Sequence, residues 1–153
     1  MRGPGDGILF NHWTEALDLW AESRWPNFRP DEKARDGRLS LACPHCGEFY
    51  FDEWMLDGLQ FIRHRTSRPV SLNSGHRCRI HNLRVGGAEY SRHLRLAFDI
   101  STQGHDLAAL HAAAQDWDFG AFGFYGTFLH VDDRPGRRWF TKEGRKTWNF
   151  LLT

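Results

Sequence analysis

The 153-residue sequence contains no apolar run approaching the ~20 residues that a membrane-spanning helix requires, so membrane insertion is not expected. It also lacks a dominant charge: twenty Lys and Arg stand against nineteen Asp and Glu, a formal net charge of +1. Such a balance provides no bulk attraction to nucleic acid or to anionic membrane, and a nucleic-acid partner is not expected. Cysteine is scarce and odd in number, at three. That excludes a closed disulfide framework but leaves metal ligation open. There are no internal repeats, no low-complexity stretch and no linker. The opening MRGPGDGILF has no apolar segment after its charge, so it does not read as a signal peptide, and synthesis in the cytoplasm is expected.

What is present fits one globular domain over residues 1–153, with 41% hydrophobic and 25% charged residues and enough length to bury a full core. Two counts stand out, seven Trp and nine His. Imidazole is the commonest neutral metal ligand, so the histidines are best read position by position.

Residues 1–10 are glycine-rich and are expected to form a poorly ordered lead-in. Trp13, Leu17 and Trp20 recur at helical spacing behind Asn11, a residue type suited to an N-cap. Pro26 and Pro30 end that segment, and the chain to Leu41 is rich in turn formers. A second helix is predicted from Asp52, as its cap, to about Arg65, with Met55, Leu59 and Ile62 on one face. Val70–Leu72 reads as a short strand and Ala97–Ser101 as another. Asp106–Trp117 is predicted helical, with Leu107, Leu110, Ala114 and Trp117 aligned. Glycines 120, 123 and 126 punctuate an expected loop before a strand over Thr127–Asp132. The fold class is α+β, a small antiparallel sheet with flanking helices.

Strand alternation carries the first inference about chemistry. Phe98 and Ile100 point one way, so Asp99 points the other; Leu129 and Val131 share a face, so His130 and Asp132 share the opposite one. If the two strands are neighbours with apolar faces inward, Asp99, His130 and Asp132 converge on an open surface. His93 lies six residues before Asp99, on the loop feeding that strand. Two imidazoles and a carboxylate with a free fourth position are what a catalytic zinc site requires. The plainer reading is an ordinary polar face on a half-exposed sheet.

The segment SGHRCRIHNLRVGGAEYSRHLRLAFDI, Ser74–Ile100, resembles the core motif of the zinc D-alanyl-D-alanine carboxypeptidase family, whose fold is shared with the hedgehog signalling domain. It is most similar to the compact branch found in bacteriophages and bacteria. The elements that carry the resemblance are Ser74, Gly75 and Arg77, then Asn82, Gly86 and Gly87, then Ser91 and His93, then Ala97 and Asp99. After a helix come His130 and Asp132, within FGFYGTFLHVDDRPGRRW, which resembles the family's closing segment. The likeness covers roughly residues 26–140. It implies that His93, Asp99 and His130 are ligands of Zn2+ and that Arg77 polarises the scissile carbonyl. It makes Asp132 the candidate general base, since the position three before His130, acidic in other branches, is Thr127 here. Period-2 geometry also allows Asp132 to hold His130 in its tautomer. One departure stands out: the family pattern His-x-x-Gly-x-Ala-x-Asp is a residue longer than HLRLAFD and contains a glycine that this chain lacks. The missing residue falls in the turn before the strand, where it is either absorbed or displaces His93 from the site.

Cys43-Pro-His-Cys46-Gly has the shape of a zinc knuckle, and Cys78 and His81 supply a second pair, so a structural Cys3His site is one reading. Free thiols and a disulfide between Cys78 and one of the other two are the alternatives. His105 is expected to be solvated and His111 to sit at a core edge, while His12, His45, His64 and His76 have no evident partner. The basic cluster Arg134, Arg137, Arg138, Lys142, Arg145 and Lys146, with Trp139 and Trp148 interleaved, reads as a solvated face or a contact for anionic wall polymer.

Taken together, the resemblance implies a zinc peptidase acting on peptidoglycan stem or cross-bridge peptides, as a D,D-carboxypeptidase or endopeptidase. With no signal peptide, a phage-type lysin or a virion-associated enzyme, in contact with other virion proteins, is the expected setting. The alternative is a non-catalytic wall-binding or virion structural module with a degraded site.

Overall fold

A computed structural model describes residues 6–152. Two short strands, β1 (Ile8–Phe10) and β2 (Phe49–Phe51), pair antiparallel. The expected lead-in therefore gives way to a strand from Ile8, because Tyr50 and its neighbours on β2 offer it a pairing edge; residues 1–5 lie outside the described residues. The helix expected from Asn11 is a 3-10 helix, Trp13–Leu19, capped by His12 instead: the His12 ring accepts from the Thr14 N–H and Glu15 takes the His12 N–H. Its start is held down by the Trp13 N–H donating to Gly47 O.

The helix α1 (Glu53–Thr66) begins where predicted, with the Asp52 side chain accepting the Met55 N–H at 3.1 Å. Met55, Leu56, Leu59 and Ile62 are buried on its inner face. It ends at Ser67, which adopts a left-handed conformation. After β3 (Leu72–Ser74) comes a short helix, α2 (Arg79–Arg84), then β4 (Phe98–Ser101). Asp106 caps α3 (Leu107–Asp116) through the Ala109 N–H, and α3 packs against α1 over the core. The chain closes with β5 (Ala121–Phe124), β6 (Phe128–Asp132), β7 (Arg137–Phe140) and α4 (Lys142–Thr147).

Five strands form one sheet in the order β3-β4-β6-β5-β7, antiparallel except for the parallel pair β5 and β7. One face lies on α1 and α3: Phe98, Ile100, Leu129, Val131 and Phe124 are fully buried there. The architecture is α+β, as the residue pattern predicts. β5 replaces the expected glycine loop. Gly123 faces away from the core, where a Cβ would fall 2.5 Å from the Trp139 indole, so glycine there makes room for an aromatic ring. Among the described residues no helix is long and apolar enough to cross a membrane.

Candidate functional site

The sheet register assembles the site. Asp99 on β4 and His130 on β6 are direct cross-strand partners, and their neighbours Phe98, Ile100, Leu129 and Val131 take the core face. The alternation read from the sequence therefore holds, but the expected open surface does not. Asp99 is 5% exposed, His130 6% and Asp132 0%, because the turn around His93 and the side chains of Arg134 and Trp139 cover this face.

His93 sits on a 3-10 turn, Arg92–Leu94, whose cap Ser91 accepts the His93 N–H through Oγ at 3.2 Å. Its Nε2 lies 3.1 Å from Asp99 Oδ1, and His130 Nδ1 lies 2.9 Å from the same oxygen. Six positions before Asp99, His93 still reaches it, and Arg95 caps the turn that precedes β4. One ligand atom from each of His93, Asp99 and His130 falls within 4.8 Å of the other two.

The opposite ring nitrogens test whether a metal fits. His93 Nδ1 is 2.6 Å from Gly75 O, a carbonyl that can only accept, so Nδ1 carries the proton and Nε2 offers its lone pair to the cluster. His130 Nε2 is 2.7 Å from Asp132 Oδ2 and donates to that carboxylate. Both imidazoles are therefore oriented from behind as metal-ligating histidines are. In the metal-free chain His93 is pushed towards the neutral form by burial. Burial opposes charge on His130 as well, but its bonds to Asp132 and Asp99 raise it to about 9. Burial would likewise raise Asp99, and the two imidazoles instead hold it below the usual carboxylate range.

The motif residues surround this cluster in mutually dependent roles. Ser74 Oγ accepts from Arg77 Nε at 3.2 Å, and Asn82 Oδ1 from Arg77 Nη1 at 3.3 Å. Asn82 in turn donates to Ala88 O, tying the turn through Gly86 (φ +71°) to α2. The guanidinium so held reaches Asp99, with Nη2 3.6 Å from Oδ2. A cleft of about 950 Å³ opens over these groups, lined by Arg77, His93, Asp99 and His130, with Tyr125 and Trp139 on its wall.

Asp132 does not belong to that lining. It is fully buried, and its oxygens are taken by His130 Nε2 and by the backbone N–H, Nε and Nη2 of Arg134. Its oxygens face His130 and Arg134, and a general base has to reach the reacting water. The basic cluster also divides. Arg134 is paired with Asp132, Arg138 lies over Phe124 and Phe140, and Trp148 is wholly in the core.

Cys43, Cys46 and Cys78 come together as free thiols, not in a disulfide. His81 contributes its backbone N–H to Cys78 Sγ rather than its ring, and His45 is the imidazole beside that sulfur. His76 has partners after all: its ring bridges Arg95 O at 2.6 Å and Glu48 at 2.8 Å, contacts between segments far apart in sequence. His105 is only half-buried and lies 3.0 Å from Pro69 O, while His111 packs edge-on against Phe122 and Phe124 at the core edge.

The profile of the peptidase M15 family matches residues 32–132, two thirds of the chain, including the segment from the cysteine turn to Asp132. No curated protein matches it. The chain belongs to the M15 family of zinc-dependent, D-Ala-D-Ala carboxypeptidase-type metallopeptidases.

Proposed function

We propose that this M15 peptidase holds zinc at His93, Asp99 and His130 and hydrolyses amide bonds in peptidoglycan stem or cross-bridge peptides, as a D,D-carboxypeptidase or endopeptidase. The observation that carries the proposal is the pair of imidazoles fixed from behind by Gly75 O and Asp132, so that His93 Nε2 and His130 Nδ1 both face one carboxylate at the floor of the cleft. Zinc in such a site supplies Lewis acidity, polarising an amide carbonyl and acidifying water from about 15.7 towards 7.

The chain's own groups do the rest. Arg77, braced by Ser74 and Asn82, presents Nη2 beside Asp99, where it meets the negative charge developing on the carbonyl oxygen. Among the described residues, the carboxylates lining the cleft are Asp99 and Glu89. Asp99 is engaged by two imidazoles, so the acceptor we propose for the proton of the attacking water is Glu89, the other carboxylate of the cleft. Arg137 on the same wall suits the carboxylates of a peptidoglycan peptide. The non-catalytic alternative draws on the short His93–Asp99 spacing; the 3.1 Å contact between the two supports the catalytic reading.

The setting we propose is a phage-type lysin or virion-associated enzyme, made in the cytoplasm and acting on the wall. The test is incubation of the zinc-loaded protein with purified peptidoglycan and mass analysis of the released fragments. New peptide termini that disappear on chelation are expected; intact peptides throughout would overturn the reading. Released D-alanine distinguishes the carboxypeptidase from the endopeptidase.

A further inference from the structure

Away from the cleft, Cys43 and Cys46 flank a tight turn. It is closed by the Gly47 N–H donating to Cys43 O at 2.8 Å and by the Cys43 N–H donating to Glu48 O at 2.8 Å. Gly47, at φ +81°, takes the left-handed conformation that reverses the chain there. Cys78 follows α1 and β3 in the chain and caps α2, its sulfur accepting the His81 N–H at 3.4 Å. The three sulfurs lie within 4.8 Å of one another. Tetrahedral ligation at ~2.3 Å from sulfur to metal sets them about 3.8 Å apart, so small side-chain rotations close the set. A disulfide would use two of these sulfurs and leave the third beside it; one metal ion uses all three. His45 Nδ1 lies 3.6 Å from Cys78 Sγ, outside the group of three sulfurs, and would turn in as a fourth donor.

We infer that Cys43, Cys46 and Cys78 bind a structural zinc-type ion, with the His45 imidazole closing a Cys3His set. On binding, each thiol gives its proton to solvent and ligates as thiolate, while His45 ligates neutral. The ion joins two segments that already lie against each other. The His76 N–H donates to Leu41 O at 2.9 Å, and a Cβ on Gly75 would approach Leu41 O and Ser40 O to 2.6 and 2.7 Å. The second of these segments carries Gly75, whose carbonyl orients His93, and Arg77, the residue directly before Cys78. A metal at the cysteines thus pins the backbone that aims both groups, whatever reaction the cleft performs.

The test measures zinc content of the full chain after dialysis, and cobalt(II) absorption after metal exchange, in the wild type and in Cys46→Ser, His45→Ala and His93→Ala. The wild type is expected to hold two equivalents, one of them giving the intense near-ultraviolet thiolate-to-cobalt band. Cys46→Ser should hold one and lose that band, whereas His93→Ala should hold one and keep it. His45→Ala should keep the band with affinity reduced at least ~10-fold. Wild-type cobalt protein without the thiolate band would overturn the site even if Cys46→Ser does not fold. Two zinc equivalents retained in Cys46→Ser would overturn it as well, and unchanged affinity in His45→Ala would overturn the fourth ligand. Loss of the cleft metal alone, as in His93→Ala, leaves this site standing, so the two assignments fail separately.

Discussion

Asp132 Oδ2 sits 2.7 Å behind His130 Nε2, while the other nitrogen of the same ring faces Asp99 at 2.9 Å. The imidazole is thus clamped between two carboxylates, one for the metal side and one for the protein side. Arg134, bonded to both oxygens of Asp132, fixes the rear carboxylate in turn.

Asp132→Asn should therefore act on metal affinity first. Zinc binding is expected to weaken ~10- to 100-fold, with turnover largely recovered at saturating zinc. Glu89→Gln should do the reverse, leaving zinc content unchanged and lowering kcat by ~100-fold or more. Zinc titrations beside rates on a peptidoglycan peptide separate the two, and full activity in Glu89→Gln would remove it from the mechanism.

His93→Ala and Asp99→Ala should each lose the cleft zinc and all peptidase activity while unfolding cooperatively. Both side chains stand on the far side of the sheet from the α1–α3 core, so the apolar packing is untouched. His93→Ala leaves Gly75 O without its donor, a loss of about 1–3 kcal/mol that a denaturation curve would register.

Arg77→Ala should keep the metal and lower turnover by ~100- to 1000-fold, about 3–4 kcal/mol of transition-state stabilisation. Inductively coupled plasma analysis alongside kcat checks it. Loss of metal in this variant would make Arg77 a structural residue, since its Nη2 also lies 3.6 Å from Asp99.

Asp52 supplies a pH signature separate from the metal. Burial at the start of α1 raises its pKa from 3.8 to about 6. The folded chain then holds that proton more tightly than the unfolded one, so its contribution to stability is full below about pH 4 and is lost as pH rises through about 6. Asp52→Asn keeps an N-cap but cannot ionise. Its stability relative to wild type should increase between pH 4 and 6 by up to about 3 kcal/mol and then level off. A difference independent of pH across that window would show that Asp52 is not held as the neutral acid.

The parts of the site that sequence reveals are those governed by local periodicity. Phe98, Ile100, Leu129 and Val131 declare which way Asp99 and His130 point, and only the pairing of their strands remained to be supplied. Asp52 and Asp106 mark two helix starts for the same reason. What escapes is whatever depends on a distant partner. β5 reads as loop because Gly123 is selected by Trp139, sixteen positions on. β7 reads as a basic patch because Arg137 and Arg138 mask a strand that pairs in parallel. The burial of Asp132 and the turn of duty it takes behind His130 follow from Arg134, whose direction no alternation rule gives. Likewise the imidazole beside the Cys78 sulfur is His45 within the turn, because His81 faces its backbone to that sulfur.

The direct opposition of Asp99 and His130 across β4 and β6 has a bearing on how the chain reports its own folding. A slip of one position between these strands would carry one ligand away from the other and turn a core residue towards the cleft. Metal affinity at the cleft would then gauge strand alignment: a slipped chain would lose the His93, Asp99 and His130 set while keeping the cysteine one. Capture of the second zinc equivalent, the one that survives Cys46→Ser, would sort correctly paired chains from slipped ones before any substrate is present.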